Sequence, residues 1–296
     1  MKSSNPFMNS LTKATAESQR SQAMAYQQAG YAPSGAAGNP YATGAPAADP
    51  QGYRRSPNYG VPGAASDRPM TVDDVVTKTG ITLAVIVVFA AVTLVVGASN
   101  PGLAMGLTLV GAIGGFIAVL VSSFGRKYDS PVVTLIYAAF EGLFVGGFSW
   151  LLSGMAIGNS NAGAMIFQAI LGTVGVFVGM LVVYKTGAIR VTPKFNRIMI
   201  SALIGVCVLA LGNLVFALFS DGAGPLRDGG PIAWIFSLVC IGLAAMSFLS
   251  DFDNADQLIR AGAPSKMAWG VALGLAVTLV WLYTEILRIL SYLNND

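Results

Sequence analysis

Beyond residue 70 the chain is a succession of long apolar runs separated by short polar or Gly/Pro-rich breaks. A hydrocarbon core of about 30 Å needs about 20 mostly apolar residues per spanning helix. Seven runs reach that length: Gly80–Ser99, Leu103–Phe124, Pro131–Leu152, Gly163–Tyr184, Ile198–Phe219, Pro231–Ser250 and Met267–Leu293. The breaks suit helix ends. Asp73 and Asp74 match the unpaired N–H groups that open the first helix, Asn100-Pro101-Gly102 makes a tight turn, and Asp129-Ser130-Pro131 caps the third helix. The pattern predicts an all-α integral membrane protein, a seven-transmembrane-helix bundle over residues 71–296.

Residues 1–70 have no sustained apolar period. From Gly30 to Gly63 the chain is mostly Gly, Ala, Pro, Tyr, Asn and Ser, a composition that cannot bury enough apolar surface to offset its ordering entropy. A disordered cytoplasmic tail is expected, with a weak helix over Ser10–Gln28. It lacks the apolar stretch of a secretory signal and should be retained. It is either a solvated tail or a segment that docks a protein partner through Tyr31, Tyr41, Tyr53 and Tyr59.

Composition sharpens the class. Charged residues make up 10% and hydrophobic ones 54%, against about 25% charged in soluble proteins, so a soluble enzyme is excluded. Histidine is absent, which removes His-ligated metals, Ser-His-Asp triads and imidazole relays. Cys207 and Cys240 lie in apolar runs and read as small buried hydrophobes. No nucleophile–base set, phosphate loop or basic aromatic groove is present, so neither an enzyme, a cofactor nor a nucleic-acid partner is expected.

The placement of charge gives orientation. Fifteen Lys and Arg residues fall before the first helix or in the loops after helices two, four and six, against Arg227 alone between helices five and six. The remaining one, Arg288, is within helix seven. The positive-inside rule puts the N-terminus in the cytoplasm and, with seven spans, the C-terminus on the other side. Small residues four apart, Gly111/Gly115, Gly142/Gly146, Gly175/Gly179 and Gly270/Gly274, should let helix backbones approach.

Ionisable residues at membrane depth are costly and usually face the bundle interior. Glu141 lies about 15 Å along helix three, near the midplane. It is either a protonated carboxyl bonded to a neighbouring helix or a proton- or cation-responsive site. Glu285 and Arg288, three apart, can pair on one helix face. Asp251, Asp253 and Asp256 either attract Ca²⁺ through carboxylate oxygens or, for the last two especially, form a solvated helix end.

Helix six ends Leu249-Ser250-Asp251-Phe252-Asp253-Asn254 and helix seven holds Trp281-Leu282-Tyr283-Thr284-Glu285-Ile286-Leu287-Arg288, while helix three carries Glu141-Gly142-Leu143-Phe144-Val145-Gly146. This resembles the Bax inhibitor-1 (transmembrane BAX inhibitor motif) family, and with its Pro/Gly/Tyr-rich tail a bacterial subgroup of it. The resemblance implies a central last helix wrapped by the other six and a pH-sensitive calcium leak gated by two carboxylates. Carried onto this chain, those are Asp251 and Glu285. Glu stands at 285 where the family has Asp, and Arg288 replaces an uncharged amide. Glu285 would also lie about 28 Å along the axis from a helix start at Lys266, whereas Asp251 closes helix six. The other grouping is therefore Glu141 with Glu285 and Arg288.

Two functions follow. One is a cation (calcium) leak channel or proton-linked transporter of the cell (inner) membrane, with Ca²⁺ or protons as the moving ions. The other is a non-conducting regulator of membrane proteolysis or stress responses that grips a partner through its tail.

Overall fold

The computed structural model describes residues 68–155, 162–220 and 223–294, together with Glu17 and Arg20. Apart from those two residues and residues 68–70, the expectations for the tail, its four tyrosines included, fall outside the described residues. Seven long helices follow one another: α1 (Val72–Ser99), α2 (Pro101–Phe124), α3 (Pro131–Met155), α4 (Ala162–Thr186), α5 (Pro193–Phe219), α6 (Pro231–Arg260) and α7 (Ala268–Leu293). A 3₁₀ turn, Ser265–Met267, leads into α7. Each of the seven is long and apolar enough to cross a membrane.

Helix ends follow local chemistry more than hydropathy. The first span begins at Val72, ahead of the apolar run at Gly80, because Thr71 and Asp74 form a reciprocal capping box. The Arg68 guanidinium grips the Asp74 carboxylate through both oxygens at 2.8 and 2.6 Å. Arg68, Pro69 and Met70, on the tail side of the expected boundary, are built into the bundle. The Met70 N–H donates to the Ala263 carbonyl at 2.7 Å, and the Ser265 N–H donates to that of Arg68 at 2.9 Å. Asn100 ends α1 and caps α2, its side chain accepting from the Leu103 N–H at 3.0 Å. At the other extreme α6 runs on to Arg260, so Asp251 sits inside the helix and does not close it. Its last turns stay helical because their polar side chains pair among themselves: Gln257 donates to Asp253 at 2.7 Å, and Arg260 meets Asp256 at 2.8 Å.

The last helix is central, as the resemblance implied. α7 is buried over most of its length and packs on α1, α3, α4 and α6. The wrapping is less even than six helices around one: α2 packs on α1 and α3, and α5 packs on α6. The outer helices turn large apolar side chains outward (Ile204, Val208, Leu211 and Leu214 on α5), as lipid contact allows. Cys240 is buried as expected, but Cys207 lies on the exposed face of α5.

Glycines decide which helices touch. A Cβ on Gly142 would sit 2.5 Å from the Ile86 carbonyl of α1, and one on Gly111 would sit 2.5 Å from the Phe144 amide nitrogen of α3. These pairs of small residues thus seat α1 and α2 on α3. Gly175 and Gly179 do not act this way: both face open space on α4. Gly142→Leu is expected to destabilise the fold by about 1–3 kcal/mol through overpacking. Gly175→Leu, with no atom within 4 Å, should leave it unchanged; thermal unfolding in detergent micelles measures both.

Candidate functional site

Because α7 is largely sheathed, most polar side chains on it are cut off from lipid and interfacial water and must find partners within the protein. It carries polar groups at two levels. Counted from the end of the bundle where α1 begins (the near end), Thr278 lies about 15 Å along α7 and Glu285 about 10 Å further.

At the deeper level Glu285, 2% exposed, is clamped between two guanidiniums. Arg227 meets both carboxylate oxygens at 3.0 Å, and Arg288, one turn along α7, meets Oε1 at 2.9 Å. Arg227 comes from the α5–α6 loop at the far end, and the loop is shaped to deliver it. Asn213 of α5 accepts from the Leu226 N–H and donates to the Ala223 carbonyl, both at 2.9 Å. Gly224 takes φ +77, which a side chain would resist, and its position against the Asn213 amide leaves no room for a Cβ. Two rings finish the enclosure: Phe236 lies 5.0 Å from the Arg227 guanidinium and Phe148 5.3 Å from that of Arg288.

At the Thr278 level Asp251 of α6, 1% exposed, accepts a hydrogen bond from the Thr278 hydroxyl at 2.7 Å. Around the same part of α6 a buried polar set continues outward: the Ser250 hydroxyl donates to the Asn196 side-chain carbonyl of α5 at 3.2 Å, and the Asn254 amide donates to the Ser250 carbonyl.

The structure thus brings Glu285 and Arg288 together, as their spacing predicts, and keeps Asp251 apart from Glu285. The carboxylate pair implied by the resemblance is not formed, because one helical register sets Asp251 against Thr278 and leaves Glu285 two turns further along α7. Nor does Glu141 join them. It faces α2, where a Cβ on Gly115 would lie 2.8 Å from its Oε2, and it has no hydrogen-bond partner or ion pair among the described residues. Asp253 and Asp256 point away from Asp251, into a cleft of about 450 Å³ lined with Tyr184, Lys185, Arg190 and Arg260. Among the described residues the three aspartates do not converge on a shared metal position.

Arg227 is the participant that sequence reasoning left out, although its signal was visible: it is the lone basic residue on a side otherwise without positive charge. Thr278 gave no signal, since a threonine in an apolar helix looks like any other. Removing the carboxylate would leave two like charges facing each other inside the bundle. Glu285→Ala is therefore expected to cost about 3–5 kcal/mol, and Arg227→Gln clearly less because Arg288 still neutralises the carboxylate. Unfolding of both variants and the double mutant, measured as a cycle, reads the coupling.

A search of curated proteins finds no match. The profile of the Bax inhibitor 1 like family matches residues 5–295, nearly the whole length, tail included. Seven membrane-length helices, a sheathed last helix and a match of that extent agree: the chain belongs to the Bax inhibitor 1 like family.

Proposed function

We propose that this multi-pass membrane protein is a pH-sensitive calcium leak channel or transporter of the inner membrane. The observation that carries the reading is the Glu285 clamp: a carboxylate buried in the central helix and held by an arginine from a loop. In a protein that needed only to insert and pack, an apolar side chain at 285 would serve, since a buried ion pair seldom outdoes hydrophobic packing in stability. The clamp is bistable by construction. With Glu285 ionised, one negative charge binds two positive ones. With Glu285 protonated, Arg227 and Arg288 become unneutralised neighbours, and the loop that delivers Arg227 is driven off.

Asp251, in the near half of α6, is the second proton- or cation-responsive group of this reading, and its Thr278 bond ties α6 to α7. Near-end residues include Lys78, Arg126, Lys127, Lys185, Arg190, Lys194, Arg197 and Lys266. That distribution supports a cytoplasmic near end, with the clamp facing the other side.

A second reading, a non-conducting regulator of membrane proteolysis or stress responses, draws on another observation. Glu141, Asp251 and Glu285 sit in three separate surroundings, and neither the Asp256 cleft nor the apolar groove described below is lined by any of them. It assigns the work to residues 1–67 and a protein partner.

Calcium flux into proteoliposomes between about pH 6 and pH 8 separates the readings. On the leak reading, flux rises as pH falls, Glu285→Gln gives high flux that no longer responds to pH, and Asp251→Asn reduces the response. A pH profile unaltered by Glu285→Gln rejects the clamp as the gate. Absence of flux from the wild type at every pH, with loss of a cellular phenotype on deleting residues 1–67, selects the regulator.

A further inference from the structure

On the face of α7 away from the clamp lies a groove of about 360 Å³, walled by α1, α3, α4 and α7. That volume is within the range of about 300–1,000 Å³ typical of small-ligand sites. Its floor is buried: Val145 and Ser149 of α3, Leu279 and Tyr283 of α7. Its rim is exposed, with Val87 and Ala91 on α1 facing Ile170 and Val174 on α4. The mouth therefore opens sideways between two spans, at hydrocarbon depth.

Three features define the occupant. The first is polarity. Among the lining residues the hydroxyls belong to Ser149, Thr173 and Tyr283, and all are already engaged. Ser149 and Tyr283 bond each other at 2.7 Å, Ser149 also donates to the Val145 carbonyl, and Thr173 donates to the Ala169 carbonyl at 2.8 Å. Among the described residues no charged side chain lines the groove. With the hydroxyl protons already committed, a carboxylate or phosphate would find no donor there, and water would have few partners. The second is length. On α1 the lining runs from Leu83 to Leu94, about 16 Å, about half of a 30 Å hydrocarbon core. The third is level. Most of the lining lies beyond the helix midpoints toward the far end, with Leu83, Leu279 and Val280 just short of them, so the groove lies mainly in the far leaflet.

From these we propose that the groove is a binding site for one acyl chain of a phospholipid from the far leaflet. The headgroup stays at the far interface and only hydrocarbon enters between α1 and α4. A free fatty acid would present the same hydrocarbon to the lining, but phospholipid is the component that makes up the leaflet at the mouth. Left empty, the floor would forgo van der Waals partners that a chain supplies. The site is independent of ion conduction, since its lining excludes every residue assigned to the gate.

The test uses the full chain in liposomes containing phosphatidylglycerol with a diazirine on one acyl chain. After irradiation, peptide mapping should find adducts on the floor residues Val145 and Tyr283, which bulk lipid cannot touch. Ala91→Trp and Ile170→Trp plug the mouth from its lipid-exposed rim, where folding is little affected. Each should abolish the floor adducts while leaving those at Val208 and Leu211 of α5 unchanged. Absence of floor adducts in the wild type, or their persistence in both plugged variants, overturns the proposal. So does labelling of the floor by a diazirine fatty acid but not by the phospholipid.

Discussion

A carboxyl inside a hydrocarbon slab either holds its proton or carries its counter-charge with it, and the far half of this bundle is arranged to supply that counter-charge to Glu285. Glu285 is neutralised twice, once from within its own helix by Arg288 and once from outside by Arg227. The first contact needs only helical spacing. The second requires the α5–α6 loop to fold inward, which in turn requires Asn213 to anchor it and Gly224 to turn it. The far end of the protein is thereby tied to its central helix by an electrostatic contact in a medium that screens it poorly.

The near end is held by other means. There the chain preceding α1 lies against the α6–α7 connection through backbone hydrogen bonds, and Lys78 reaches the Ser265 carbonyl and the Trp269 ring. Basic residues crowd this end, and the acidic turns of α6 meet them in a solvated cleft. One end is thus exposed, charged and mutually screened, while the other is sparse in charge and carries its arginines indoors.

α7 mediates between these regimes and between its own two faces. In its far half, one face holds the charged clamp and the other, two residues away at Tyr283, closes a dry groove. A helix so placed carries a charged contact on one face and an apolar groove on the opposite one. The glycine contacts that seat α1 and α2 on α3 leave α4 free of comparable close approaches, which is why the groove opens at that helix.

Hydropathy alone determined the class, the number of spans and their order, because crossing a hydrocarbon core imposes a length and a polarity that any chain must display openly. The Glu285–Arg288 pair was also legible, being a matter of spacing on one helix. Several things were not. The start of α1 at Val72 depends on a capping box and on Arg68, and the continuation of α6 to Arg260 depends on polar pairs that look like a helix end. The parting of Asp251 from Glu285, the isolation of Glu141 against Gly115, and the partnership of Arg227 with Glu285 are set by helix register and loop direction. Such contacts join residues far apart in the chain, and one-dimensional periodicity records how a helix meets lipid, not which neighbouring helix its polar side chain meets.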